Sequence, residues 1–172
     1  DKITADCKGA YVYQNKEDEN IVIENNSGAA VATVGGEEYI TLKDAIDAAN
    51  PGETVKLLRN TELTTEMWTE YNLPDDAVID LNGKTISGGK AAAVFQGKNI
   101  TIKNGVISSP ADYSMFIGNG TLETNVTVKD VLLDGGINVF VADVTLENVT
   151  ADASGKAYYA VWAAPAANIA IE

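Results

Sequence analysis

The stretch NITIKNGVISS (residues 99–109) contains the pattern that decides the fold. Ile100 and Ile102 alternate with polar residues, which is typical of a strand with one buried face. Asn104 and Gly105 then interrupt the alternation, and both residue types tolerate the left-handed backbone conformation of a tight corner. Apolar residues return directly afterwards. The stretch therefore predicts a strand, a corner and a second strand.

Stretches of the same shape recur along the chain. They are TVKLLRN (54–60), VIDLNGKTISG (78–88), NVTVKDVLLDG (125–135) and DVTLENVTADA (143–153), and NIAIE (168–172) begins in the same way. The first apolar residues, which serve as anchors for the alignment, are Val55, Ile79, Ile100, Val126, Val144 and Ile169, at steps of 18 to 26 residues. One such unit cannot bury its apolar face alone, whereas stacked units can. The repeat predicts a β-solenoid whose loops differ in length.

Asn and Asp occupy two fixed positions of the repeat. They precede the anchor at Asn99, Asn125, Asp143 and Asn168, and they stand four residues after it at Asn104, Asp130 and Asn148. These are the corner positions of the predicted coil.

The stretch VATVGGEEYITLKDAIDAANPGETVKLLRNTELT (31–64) resembles the N-terminal part of right-handed parallel β-helices of the pectate-lyase-like type, as found in surface and adhesin-like proteins. The resemblance implies an all-β fold, a right-handed parallel β-helix (β-solenoid) with a short N-terminal capping α-helix. Residues 31–53 would form a leading strand and the helix, and residues 54–172 the rungs. Enzymes, adhesins and structural proteins share such coils, so the resemblance says little about function.

The capping helix also follows from the residues themselves. Thr41 and Asp44 form a plausible N-terminal capping pair, and Pro51 with Gly52 ends the helix. The apolar residues of this helix fall on one face: Leu42, Ala45, Ile46 and Ala49. We expect this face to seal the start of the coil.

Composition excludes some partners. Among 172 residues, 25 are acidic, 12 are basic and none is histidine, so the net charge is −13. This charge argues against nucleic acid and against anionic lipid. The sequence contains no run of 18 apolar residues, so no transmembrane helix is predicted. Cys7 is the only cysteine, so it forms no internal disulfide; it is either a small buried residue or a bridge between chains.

We do not expect this protein to be an enzyme. The resemblance implies Ca²⁺-dependent lyases with aspartates and a basic catalytic residue, or hydrolases with several aspartates and a histidine. Here Arg59 is the one arginine, there is no histidine, and Asp75–Asp76 lies in a turn-like stretch. No catalytic residue, cofactor or metal ligand is predicted; weak Ca²⁺ binding by clustered carboxylates is the minority interpretation.

Two features of the sequence concern sugars, a possible binding site and possible attachment sites. Aromatic residues near the two ends favour a glycan-binding module as an alternative: Tyr11, Tyr13, Tyr158, Tyr159 and Trp162. Their alternation directs at least half of them to the core, however. Five Asn-x-Ser/Thr triplets predict glycosylation, at Asn25, Asn99, Asn119, Asn125 and Asn148. Three of these asparagines, at 99, 125 and 148, are corner residues, which explains them without a glycan.

Residues 1–30 carry the repeat ahead of the helix. NIVIENN (20–26) has the rung signature, and reading Glu172 into Asp1 gives NIAIEDKITAD, which matches NITIKNGVISS. We therefore expect residues 1–30 to complete the C-terminal end of a neighbouring unit, head to tail. The predicted assembly interface is Ile3, Ala5, Ile21, Ile23, Asn168, Ile169 and Ile171. Two alternatives remain open, a covalent tandem array and a segment that caps the far end of its own coil.

The expected function is that of a non-catalytic, extracellular structural subunit that forms a filament or tandem array at the cell surface. Its expected partner is itself, with surface glycans as a further candidate. The location is inferred from the resemblance, the Asn/Thr richness and the scarcity of thiols. The alternatives are an adhesin or glycan-binding module and, less favoured, a polysaccharide lyase or hydrolase relative.

Overall fold

The computed structural model describes residues 2–5, 22–25, 28–63, 69–88, 93–109, 113–157 and 159–172. These residues form a mostly β protein, a β-solenoid of about four turns with one short helix near the N-terminus. The elements in chain order are β1 (Lys2–Ala5), β2 (Val22–Asn25), β3 (Ala32–Val34), β4 (Glu37–Tyr39), α1 (Leu42–Ala48), β5 (Thr54–Leu57), β6 (Thr61–Leu63), β7 (Thr69–Asn72), β8 (Val78–Asp80), β9 (Thr85–Gly88), β10 (Ala93–Gln96), β11 (Ile100–Ser108), β12 (Met115–Ile117), β13 (Asn125–Asp134), β14 (Ile137–Val139), β15 (Asp143–Glu147), β16 (Thr150–Asp152), β17 (Val161–Ala163) and β18 (Asn168–Ile171).

Three parallel sheets form the faces of the coil. The first sheet runs β5-β8-β11-β13-β15-β18, and the third runs β7-β10-β12-β14-β17. The second sheet lies between them and consists of β6, β9, the later halves of β11 and β13, and β16. Successive turns therefore pair with one another in all three sheets of the described residues, as stacking of the repeat predicted.

The register confirms most of the repeat alignment and corrects one step. Val126 pairs with Ile100 on one side and with Val144 on the other, as predicted. Ile79, however, pairs with Ile102 and not with Ile100. Ile100 and Ile102 are both buried, and a shift of two residues leaves the same side chains facing the core. Alternation alone cannot distinguish these two registers.

Asn and Asp form the corners between the first and second sheets. Asn104, Asp130 and Asn148 have φ angles of 62°, 53° and 50°, which is the left-handed region that these residues tolerate. Their side chains bond along the stack: Nδ2 of Asn148 donates to Oδ1 of Asp130 over 2.6 Å. Nδ2 of Asn104 donates to Oδ1 of Asp80 over 3.1 Å. The same residues thus supply both the bend and the bond to the next turn.

The interior of the coil is apolar and tightly packed. Inward side chains from all three sheets join one cluster, including the fully buried Ile79, Ile102, Phe95 and Leu133. Gly105 passes so close to the turn below that a Cβ would lie 2.4 Å from Cβ of Leu81. No larger residue fits there without a shift of the backbone.

The N-terminal end of the coil is covered, and the predicted helix is confirmed. Oγ1 of Thr41 accepts the N–H of Asp44 over 3.0 Å. Leu42, Ala45 and Ile46 are buried in the same cluster as the core of the coil, and Ala49 packs partly buried against it. Beside the helix, β3 pairs antiparallel with both β4 and β5. The edge of β5 is therefore occupied.

Candidate functional site: the open end of the coil

Strand β18 is the last strand of the first sheet in the described part of the chain, and it pairs with β15 alone. The N–H of Asn168 donates to the carbonyl of Ala142 over 3.0 Å, and that of Glu172 to the carbonyl of Leu146 over 2.9 Å. Because backbone groups of alternate residues point to opposite sides of a parallel strand, those of Ile169 and Ile171 point away from β15. The outer edge of β18 is therefore ready to pair with a further strand.

Burial falls sharply at this end. Val144 and Leu146 of β15 are only 3% and 4% exposed, whereas Ile171 is 73% exposed. Ile169 and Val161 remain only partly buried against the core. The last turn thus presents an apolar end face with no described residues stacked on it, in contrast with the start of the coil, where α1 and β3 cover the first turn.

A ladder of polar side chains borders the same end. Nδ2 of Asn168 donates to Oδ1 of Asp143 over 2.7 Å, and Nδ2 of Asn125 lies 3.4 Å from Oδ2 of the same carboxylate. These residues and their strands line an open groove of about 420 Å³. The asparagines that precede the anchors therefore bond successive turns together, which gives them a structural role.

Four of the predicted glycosylation positions are described at side-chain level, and each amide nitrogen already donates a hydrogen bond. Besides the bond from Asn125, Asn99 donates to Asp76 over 3.1 Å, Asn119 to Glu70 over 3.2 Å and Asn148 to Asp130. Attachment of a glycan would remove one of the two hydrogens of Nδ2, so only the other could make such a bond. Glycosylation at all five positions stays a prediction, because nothing in the structure tests it.

The charged groups on the outer faces also bond between turns. Lys129 pairs with Glu147 over 2.7 Å, and the hydrogen bond and charge of Glu147 raise the pKa of Lys129. Hydrogen bonds from Lys156 and Ser108 lower the pKa of Asp134. Like the asparagine ladders, these groups tie one turn to the next.

The sequence analysis considered Asp75, Asp76 and Arg59 for catalysis. Asp76 has a φ of 61° and accepts the Asn99 bond, so it forms a corner, and Asp75 is exposed beside it. Arg59 is half-buried near the start of the coil. Across the described ranges, no group of three or more His, Cys, Asp or Glu side chains is arranged to hold a metal ion.

The predicted interface residues fall into two groups. Asn168, Ile169 and Ile171 lie together in β18. Ile3 and Ala5 lie in β1, which pairs in parallel with β2, opposite Ile23 and Asn25. Ile21 lies outside the described residues, as does Cys7.

Joining Glu172 to Asp1 in the sequence places Ile3 six positions after the anchor Ile169, as Val106 follows Ile100, and makes Ile21 the next anchor. In the structure, Ile3 lies opposite Ile23 in a separate two-stranded parallel sheet, and the joint between Glu172 and Asp1 stays a prediction. The alternation of apolar residues is the same in both arrangements, so it does not select between them.

Sequence reasoning missed an aromatic cleft on the third sheet. Of the five aromatic residues considered, Tyr11, Tyr13 and Tyr158 lie outside the described residues, and Tyr159 is 59% exposed. Trp162 instead lines a cleft with Phe116 and Phe140. Alternation within the short strands MFI, INV and VWA could have predicted the cleft, because it directs the central residue of each strand outward.

Comparison with known proteins supplies no relative: no protein-family model, no curated protein and no solved structure matches this chain. The β-solenoid is shown by the structure alone. The helix α1 is much too short to cross a bilayer, and the described residues contain no other helix.

Proposed function

We propose that this chain is a non-catalytic structural subunit that extends head to tail by completing the coil of a neighbouring copy. In this proposal, residues 1–30 of one copy add strands to the open edge of β18 in the next. The observation that carries the proposal is the asymmetry of the two ends, one covered by α1 and β3 and the other exposing Ile171 and the edge of β18.

The pairing of β1 with β2 supports the donor role of residues 1–30. Two parallel strands must be joined by a crossover, and one turn of a coil is such a crossover. The β1–β2 pair therefore has the form of two adjacent levels of one sheet. Added to β18, it would continue the parallel stack in the same direction.

The free energy of burying the end face is large enough to hold two copies together without a covalent bond. Covering an end face of roughly 400 Å² at ~25 cal/mol/Å² contributes on the order of 10 kcal/mol before the cost of association. Main-chain bonds to Ile169 and Ile171 would add direction and register. A head-to-tail contact of this kind produces an open filament unless the rotation between copies closes a ring.

The setting we propose is the cell surface or extracellular space, in keeping with the resemblance to pectate-lyase-type coils of surface proteins. A relationship to that family, without its catalytic activity, is part of the proposal. A covalent tandem array of the same unit would use the same joint within one chain.

The test compares two exposed apolar residues. Ile171→Asp places a charge on the open end face, and Leu122→Asp places one on a loop where Leu122 is 43% exposed. We expect the wild-type chain to form filaments in negative-stain and cryo-electron micrographs as its concentration rises. Ile171→Asp should abolish them, and Leu122→Asp should leave them intact.

Both variants should keep the circular dichroism spectrum of the wild type, because neither side chain is buried. Monomers of the wild-type chain at every concentration would refute the proposal. So would filaments that tolerate Ile171→Asp, or a map without residues 1–30 beside β18.

A further inference from the structure

The outer face of the third sheet carries a strip of aligned side chains. Residues on either side of the strip, such as Met115 and Ile117 in β12, are fully buried in the core, so the central residue of each strand points outward. The register places these central residues one above another: Val94, Phe116, Asn138 and Trp162. Two aromatic residues thus flank an asparagine, and adjacent strands lie about 4.8 Å apart.

This arrangement creates a cleft of about 320 Å³ above Asn138. Phe116, Phe140 and Trp162 line it, and Phe140 is 48% exposed. The ring of Tyr113 packs edge-on against Phe116 with 5.8 Å between centroids, which holds that wall in place.

A tight turn shapes one side of the cleft. Gly118 has a φ of 71°, and a Cβ at this position would lie 2.6 Å from the carbonyl oxygen of Val141. Only glycine therefore lets the chain pass here, and the adjacent Asn119 lines the cleft.

The two asparagines of the cleft differ in their hydrogen bonding. Both ends of the Asn119 amide are bonded, because its Nδ2 donates to Glu70 and its Oδ1 accepts from Thr121. Oδ1 of Asn138 is buried and has no hydrogen-bond partner among the described residues. An unmade bond at a buried acceptor is costly. Rotation of the amide about its terminal bond would present it to a donor in the cleft.

These features select a ligand chemistry. An aromatic face is electron-rich and attracts the weakly positive C–H bonds on one face of a sugar ring, and hydroxyl groups are the donors that Asn138 lacks. No charged side chain lines the cleft, and the chain carries a net charge of −13. We propose that this cleft binds a neutral sugar ring, with its apolar face on Trp162 or Phe140 and a hydroxyl group bonded to Asn138.

The experiment titrates the 172-residue chain with methyl glycosides of glucose, galactose and mannose, and with the anionic methyl galacturonoside. Tryptophan emission and saturation-transfer NMR follow binding. We expect saturable binding of at least one neutral glycoside and binding at least about tenfold weaker for the anionic one, because of the charge of the chain. The cleft lies on an outer face, so this result does not depend on head-to-tail association.

Three variants locate the site. Phe140→Ala removes an exposed wall, and we expect it to weaken binding at least about tenfold. Asn138→Ala should also weaken binding. The matched control is Tyr159→Ala, which removes an exposed aromatic ring that does not line the cleft, and we expect it to bind as the wild type does.

Saturable neutral-glycoside binding with this order of variants supports the proposal. It is overturned if no neutral glycoside binds at tens of millimolar, or if Phe140→Ala binds as tightly as the wild type. Equal affinity for the galacturonoside, or occupation of the cleft only by an aromatic probe such as phenol, would overturn it as well.

Discussion

At the scale of the residue, the corners depend on one property of Asn and Asp. Among the described residues, every non-glycine residue with a positive φ is one of these two: Asp76, Asn82, Asn99, Asn104, Asp130 and Asn148. Their short polar side chains tolerate the left-handed region and bond nearby groups. The Asn and Asp residues four positions after the anchors are corners, as predicted. Of those that precede the anchors only Asn99 has a positive φ, and the other three begin strands.

Asn104 tests this role. Asn104→Ala keeps a Cβ at a φ of 62°, and we expect it to lower the free energy of unfolding by about 1–2 kcal/mol. Asn104→Gly is the control, because glycine adopts this φ without strain and loses the same bond to Asp80. Urea denaturation measures both. Equal destabilisation by the two variants would show that the side-chain bond, and not the backbone conformation, matters most.

At the scale of the element, local signals predicted the helix and the strands of the first two sheets better than the register of those strands. The helix was foreseen because its capping pair and apolar face lie within nine consecutive residues. The pairing of Ile79 with Ile102 was not foreseen, because two inward positions of one strand offer equivalent anchors. The number of residues per turn varies between 18 and 26, so a constant repeat length does not fix the register either.

The covering helix should contribute measurably to stability. Ile46 is 1% exposed, so Ile46→Ala leaves a cavity between α1 and the first turn, and we expect a loss of about 2–5 kcal/mol. Lys43 forms an exposed pair with Asp47 on the opposite face, and Lys43→Ala should cost about 0.5 kcal/mol or less. Thermal and urea unfolding compare the two variants. A loss below about 1 kcal/mol for Ile46→Ala would mean that α1 does not seal the coil.

At the scale of the whole molecule, a solenoid is a stack in which each turn contacts only its neighbours. In the proposed function, association therefore depends on the two ends of the stack. Here the first turn is covered and the last leaves Ile171 exposed. This asymmetry depends on which segments lie over each end of the stack, so it cannot be seen in the sequence or structure of a single turn.

Removing residues 1–27 separates the two roles considered for that segment. If it donates strands to another copy, the shortened chain should remain folded, with an unchanged melting temperature, and should no longer form filaments. A synthetic peptide of residues 1–30 should then bind the shortened chain at its open end, and Ile171→Asp in that chain should abolish the binding. Circular dichroism and analytical ultracentrifugation measure these outcomes. Unfolding of the shortened chain would instead indicate that the segment caps its own coil.

The sequence by itself determined the strands of the first two sheets, the corners between them and the helix, because each depends on residues within about ten positions of one another. It did not predict the third strand of each turn. Alternation, left-handed tolerance and capping are local properties. Only the tertiary structure decided the register of β8 on β11 and the alignment of Phe116, Asn138 and Trp162. Those residues meet because successive turns bring positions more than twenty residues apart into contact. The length of each loop sets which positions meet, and local sequence patterns do not encode that length.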